Sequence, residues 1–204
     1  MAKVYFYYSA MNAGKSTTLL QASYNYIERG MQTLIFAPQI DQRFGSTCVY
    51  SRIGLKQDAI PFDPNFNFFE YVAHQLEQTP NVRCILVDEA NFLKKEQVMQ
   101  LSKIATDLKI AVLCYGLRTD FLGEPFEGSR YLLAWAEEIT EIKTICQCGR
   151  KATMNMRIDG NGNPVCHGEQ IQVGGNESYI SQCMKCYKQN VPNFNYRDIP
   201  VEAL

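Results

Sequence analysis

The sequence predicts an α/β fold in which a parallel sheet is flanked by helices, followed by a smaller cysteine-bearing module. Three observations carry that prediction. Short apolar runs alternate with helical patterns of about 10–15 residues, the signature of βαβ units. Gly14-Lys15-Ser16 follows directly on the first of those runs, and beyond Ile142 the texture changes to frequent Cys, Gly and Asn.

Taken in order, Lys3 to Tyr8 is an aromatic and β-branched run that reads as a strand, and Lys15 to Arg29 reads as a helix after a tight loop. Thr33 to Ala37 is a second strand, ended by Pro38. Gln39 to Asp58 has no sustained period and is expected to be a long mobile loop. Phe66, Phe69, Val72, Ala73 and Leu76 recur at helical spacing. Cys84 to Val87 then reads as a buried strand, Glu96 to Leu108 as an amphipathic helix, and Ile110 to Tyr115 as a further strand. Past Ile142, Gly160-Asn-Gly-Asn-Pro164 is a strong turn signal. The chain therefore divides into 1–142, 143–190 and a loosely packed or disordered tail, 191–204.

Composition narrows the function. With 204 residues, 46% hydrophobic and 20% charged, the chain suits one domain plus a small appendage and excludes a disordered one. Twenty Lys+Arg against 21 Asp+Glu leave a net charge of -1, so no overall field holds a nucleic acid or a membrane surface. The longest apolar runs, Ile110 to Tyr115 and Tyr131 to Ala136, fall far short of the roughly 18 residues a transmembrane helix needs. The start of the chain lacks a signal-like apolar region, which predicts a cytoplasmic protein. In that compartment eight Cys are expected to be thiols or metal ligands rather than disulfides.

Ser9-Ala10-Met11-Asn12-Ala13-Gly14-Lys15-Ser16 approximates G-x-x-x-x-G-K-[ST], whose backbone N–H groups, helix N-terminus and lysine hold nucleotide phosphates. Under this reading Lys15 contacts the β and γ phosphates, and the Ser16 hydroxyl is a ligand of Mg²⁺. Ser9 stands at the first glycine position, so the chain is expected to turn there without free access to positive φ. Cys84-Ile-Leu-Val-Asp88-Glu89 is an apolar strand ending in two acids. Consecutive side chains point to different sides, so the acids divide their tasks: Asp88 faces the metal, and Glu89 is placed to take a proton from an attacking oxygen. The alternative is that both merely open the next helix. Attack by water would make an ATPase, and attack by a substrate hydroxyl a kinase.

Cys146-x-Cys148 and Cys183-x-x-Cys186 form two knuckles that could close on one tetrahedral, structural zinc. The first is one residue tighter than the usual spacing. Cys166-His167 is a rival ligand source by type, but it follows the Gly/Asn/Pro turn and lies away from both knuckles. His74 falls in a helical pattern as a packed or solvated residue, and Cys48, Cys84 and Cys114 read as loop or core thiols.

Together Ser9-Ala-Met-Asn-Ala-Gly-Lys-Ser, Asp88-Glu-Ala-Asn-Phe92, Tyr115-Gly-Leu-Arg-Thr-Asp-Phe121, both knuckles and Gly174-Gly-Asn-Glu-Ser-Tyr179 resemble the zinc-containing, type II thymidine kinases, from Val4 to about Tyr187. The resemblance implies a P-loop (RecA-like) parallel sheet with a small C-terminal zinc-binding lasso domain. It implies transfer of the γ-phosphate of ATP to the 5′-hydroxyl of thymidine or deoxyuridine, with Mg²⁺ and structural Zn²⁺, in a homotetramer inhibited by dTTP. By that resemblance Glu89 is the general base, and Asp88, Asn91, Asp41 and Arg43 join residues 9–16 on the nucleotide side. Met11, Leu117 and Phe121 become walls of the base pocket. Gln170, Ile171, Gln172, Val173 and Gly174 form the lasso strand that reads the pyrimidine through main-chain groups, with Tyr179 beside it. Two positions depart from it: Asn91 stands where relatives often carry Gln, and Asn155 where a pocket threonine often sits.

Overall fold

The computed structural model describes residues 2–39, 48–168, 170 and 178–191. In chain order its elements are β1 (Val4–Ser9), α1 (Lys15–Glu28), β2 (Gln32–Pro38), β3 (Cys48–Tyr50), β4 (Lys56–Asp58), β5 (Ile60–Phe62), α2 (Phe68–Gln78), β6 (Val82–Val87), a 3-10 turn (Ala90–Phe92), α3 (Lys95–Asp107), β7 (Ala111–Leu117), α4 (Glu127–Trp135), β8 (Glu138–Glu141), β9 (Thr144–Ile145), β10 (Lys151–Ala152), β11 (Met154–Arg157), β12 (Tyr179–Gln182) and α5 (Met184–Asn190). Six strands form one sheet in the order β5-β2-β6-β7-β1-β8, and every pairing in it is parallel.

Strand alternation divides the core between the two faces of this sheet. Phe6 of β1, Ile85 and Val87 of β6, and Val112 and Cys114 of β7 pack with Phe68 and Val72 of α2, Val98, Leu101 and Ile104 of α3, and Leu132 of α4. On the opposite face Cys84, Leu86, Leu113 and Tyr115 pack with Leu19 and Leu20 of α1 and with Val49 of β3. The expectation of a parallel sheet covered on both sides therefore holds. Cys84 and Cys114 are buried core thiols, and His74 is exposed on α2.

Two parts of the fold differ from the expectation. The stretch read as one long loop contains an antiparallel pair, β3 with β4, closed by a turn in which Gly54 takes φ 90. Its strands are only three residues each, too short for alternation to declare itself. β8 adds an outer strand beside β1 although Glu138, Ile139 and Thr140 are exposed, because at a sheet edge the backbone pairs without needing a buried face. β5 forms the other edge and carries Pro61, a residue that edge strands tolerate.

The C-terminal portion is built from two antiparallel pairs, β9 with β10 and β11 with β12, and from α5. Met154 and Met156 pack with Tyr187 and Val191, so the chain is still buried at Val191, while residues 192–204 of the expected tail lie outside the described residues. Among the described residues no helix is long and apolar enough to cross a membrane.

Candidate active site

The phosphate-loop sequence lies where β1 runs into α1. Ser9 is still strand, buried and in register with Leu117 of β7, and its Oγ donates to the carbonyl of Ala10 at 2.6 Å. The turn expected at Ser9 is therefore not there. Strand pairing holds Ser9 extended, and left-handed backbone comes later, at Asn12 (φ 62) and Gly14 (φ 87). Asn tolerates that region better than most residues, and Gly adopts it freely. Among the described residues a Cβ at Gly14 would meet nothing within 4 Å, so what the fold itself asks of this glycine is its left-handed conformation. Gly14 caps α1, whose first turn holds no acid and begins with the buried Lys15. Loop N–H groups, the positive helix end and a lysine together form an anion seat.

Parallel pairing of β6 with β2 continues one residue past the strand, where the Asp88 N–H donates to the Phe36 carbonyl at 2.8 Å. That contact aims Asp88 toward the loop, and the Ser16 hydroxyl donates to its Oδ2 at 3.2 Å. One strand, β7, separates the two elements that supply this pair. Burial, then the neighbouring charge of Glu89, pushes the Asp88 carboxyl above the usual carboxylate range, while Lys15, the Glu89 N–H and Ser16 pull it back down. A divalent cation beside Ser16 and Asp88 would favour the charged form, which suits the pair to metal binding.

Glu89 takes φ 46 and ψ 43, a left-handed conformation that is strained for a glutamate by about 1 kcal/mol or more. It is half-buried and starts the 3-10 turn, which is clamped from two sides. Asn91, 1% exposed, accepts the Leu117 N–H on its Oδ1 at 3.0 Å, while its Nδ2 has no hydrogen-bond partner among the described residues. A Cβ on Gly116 would lie 2.9 Å from the Asn91 nitrogen, and one on Gly128 would lie 2.5 Å from the Ala90 carbonyl oxygen. Close backbone approach thus holds the turn between β7 and α4. Replacing Gly128 with Ala gains about 1 kcal/mol of helix propensity, yet it presses on carbonyls that cannot rotate away, at a cost of about 1–3 kcal/mol. We expect Gly128→Ala to unfold at lower urea and to lose turnover; a variant as stable and as active as the parent would show that the turn has room to move.

Beyond β7 the chain carries the other expected pocket residues. Leu117 is 8% exposed, its N–H on Asn91 and its carbonyl taking the Ser129 hydroxyl. Phe121 is 2% exposed, lies under the Arg157 guanidinium at 5.1 Å, and accepts the Tyr187 hydroxyl on its carbonyl at 2.6 Å. Tyr179 sits opposite Arg157 across β11 and β12, and burial pushes its hydroxyl up. The Gln170 amide donates to Asp120 Oδ2 at 2.9 Å, and Asp120 Oδ1 accepts the N–H groups of Leu122 and Glu124, both at 2.9 Å. Asp120 was not singled out from the sequence; an acid ordering the loop after β7 leaves no local pattern. Asp41, Arg43, Ile171, Gln172, Val173 and Gly174 lie outside the described residues.

The four expected cysteines converge. The sulfurs of Cys146, Cys148, Cys183 and Cys186 all lie within 4.8 Å of one another, and Cys148 and Cys183 are 3.6 Å apart. Tetrahedral zinc with bonds of about 2.3 Å needs sulfurs about 3.8 Å apart, so this donor set fits the ion. The tighter first knuckle still closes because Gly149, at φ 81, turns the chain and returns its N–H to the Cys146 carbonyl at 2.8 Å. The N–H groups of Cys148 and Cys183 lower the Cys146 thiol, and that of Cys186 lowers Cys183, favouring the thiolates a metal needs. Cys186 is pushed up by hydrogen bonding with Cys148 and Cys183. Cys166 packs instead near Tyr187 and takes no part in the cluster.

Comparison with known proteins agrees with this architecture. The family model described as thymidine kinase matches residues 2–187. A thymidine kinase of Coxiella burnetii is 57% identical over 192 residues, covering 94% of this chain and 98% of that relative. A thymidine kinase of Legionella pneumophila is 58% identical over 189 residues, covering 93% and 90%, and one of Pasteurella multocida is 58% identical over 191 residues, covering 94% and 99%. With its anion seat, paired acids and four-cysteine cluster in one α/β chain, the protein belongs to the thymidine kinase family.

Proposed function

We propose that this chain phosphorylates thymidine, taking the γ-phosphate of ATP and placing it on the 5′-hydroxyl to give dTMP in pyrimidine deoxynucleoside salvage. The observation that carries the reading is the hydrogen bond from Ser16 to Asp88, which joins a phosphate seat to an acid pair within a chain of this family. Residues 9–16 hold the triphosphate, with Lys15 on its β and γ groups. Ser16 and Asp88 would hold Mg²⁺, whose chemistry there is charge neutralisation on the phosphates. Asn91 belongs to this side of the site, as do Asp41 and Arg43. Glu89 accepts the proton of the attacking hydroxyl, and rate comes mainly from positioning and charge. Met11, Leu117 and Phe121 wall the base, residues 170–174 read its edge through main-chain groups, and Tyr179 closes beside them.

The same reading takes deoxyuridine as a second acceptor and dTTP as feedback inhibitor. It places a homotetramer in the cytoplasm, with structural zinc on Cys146, Cys148, Cys183 and Cys186, in a lasso module spanning 143–190 beside a nucleotide-binding part spanning 1–142. Incubation with Mg-ATP and a nucleoside panel tests it. Phosphate on thymidine is the expected product; ATP hydrolysis that ignores nucleosides and rises with DNA would replace the kinase with an ATPase.

A further inference from the structure

Asn155 and Ser181 face each other across the antiparallel pair of β11 and β12. Both reach out of that pair to one residue of the phosphate loop. Asn155 Oδ1 accepts the Met11 N–H at 2.7 Å, and the Ser181 hydroxyl donates to the Met11 carbonyl at 2.5 Å. The Asn155 amide nitrogen donates in turn to the Thr119 carbonyl at 3.1 Å, in the loop after β7. Asn155 is 2% exposed, so its two amide ends are engaged with main chain inside the protein. The residue after Met11 is Asn12, one of the described non-glycine residues with positive φ.

We propose that Asn155 and Ser181 are positioning residues for the phosphate loop. By holding both backbone groups of Met11 they keep Asn12 in its left-handed turn, which aims the N–H groups and Lys15 at the triphosphate before ATP arrives. Preorganisation of this kind raises affinity because less ordering is left to the binding step. The same grip makes the C-terminal module part of the ATP site, although neither residue belongs to the phosphate loop itself. Ser181 lies two residues before Cys183, so the cysteine cluster and the loop are joined through one short strand.

The inference rests on the reading of the chain as an ATP-dependent kinase, and the experiment keeps the two apart. Mg-ATP is titrated without nucleoside into the full-length protein and its variants, and thymidine phosphorylation by the parent is measured separately. Ser181→Ala strands the Met11 carbonyl and is expected to weaken ATP binding about tenfold; Asn155→Leu is expected to do at least as much. Ser181→Thr, which keeps the hydroxyl on a strand, should restore affinity. Met156→Ala removes packing against Tyr187 but leaves both bonds, so it should melt earlier with ATP affinity unchanged. Ser181→Ala and Asn155→Leu binding ATP within about twofold of the parent would overturn the proposal, as would an equal loss in Met156→Ala. A parent that binds ATP but leaves thymidine untouched would instead overturn the kinase reading.

Discussion

Replacing Glu89 with Gln is expected to lower kcat by about 10² to 10⁴ while leaving ATP binding intact, a loss of about 3–5 kcal/mol of transition-state stabilisation. Gln keeps the size of the side chain and tolerates the left-handed backbone no worse than Glu. The effect therefore isolates the carboxylate. The sign of the effect on binding follows from the neighbouring acid. Glu89's charge is the second cause that raises the Asp88 carboxyl, so removing it lets Asp88 ionise more easily. Mg-ATP affinity should then be equal or tighter in Glu89→Gln, read by equilibrium titration beside the turnover assay. Near-parental kcat would remove Glu89 from the proton transfer.

The second large effect is expected at Cys183. Structural zinc contributes about 10–16 kcal/mol of apparent binding free energy in small metal-folded units, so losing one of four thiolates is enough to loosen the module that depends on it. Cys183 caps α5 and sits at the end of β12, so its loss frees the elements on both sides. Cys183→Ser should lose bound zinc and expose the segment after Ile142 to limited proteolysis. The sheet should persist, since its two apolar clusters draw almost wholly on residues before the module. Unchanged zinc content in the purified variant would refute the ligand assignment.

What the sequence made legible follows from the range of each interaction. β1, β6 and β7 announce themselves because each packs against an apolar cluster on both faces, and α1 and α3 because one face is apolar at the helical period. The phosphate seat is contiguous in the chain, and each cysteine knuckle is local, so pattern finds them. Several features have no such signature. The exposed β8 pairs by backbone alone, and the strands of β3 and β4 are too short to alternate. The left-handed turns at Asn12 and Glu89 are imposed by tertiary contacts, which also explains why the expected turn at Ser9 was misplaced. The bonds from Asn155 and Ser181 to Met11 span 144 and 170 positions, so nothing near any of the three residues in the chain could reveal them.

The sheet order carries a consequence for biogenesis. β1 leaves the ribosome ahead of the other described elements, yet among the described residues its strand partners are β7 and β8, which begin at Ala111 and Glu138. Until translation has passed Leu117 neither of these strands is available to pair with it, while β2 can already zip to β6, which ends at Val87. Closing so long a loop is entropically slow and leaves an adhesive strand uncovered on the nascent chain. Nascent chains arrested before Ala111 should therefore clump or recruit chaperones, whereas those released after Ile142 should bury the strand.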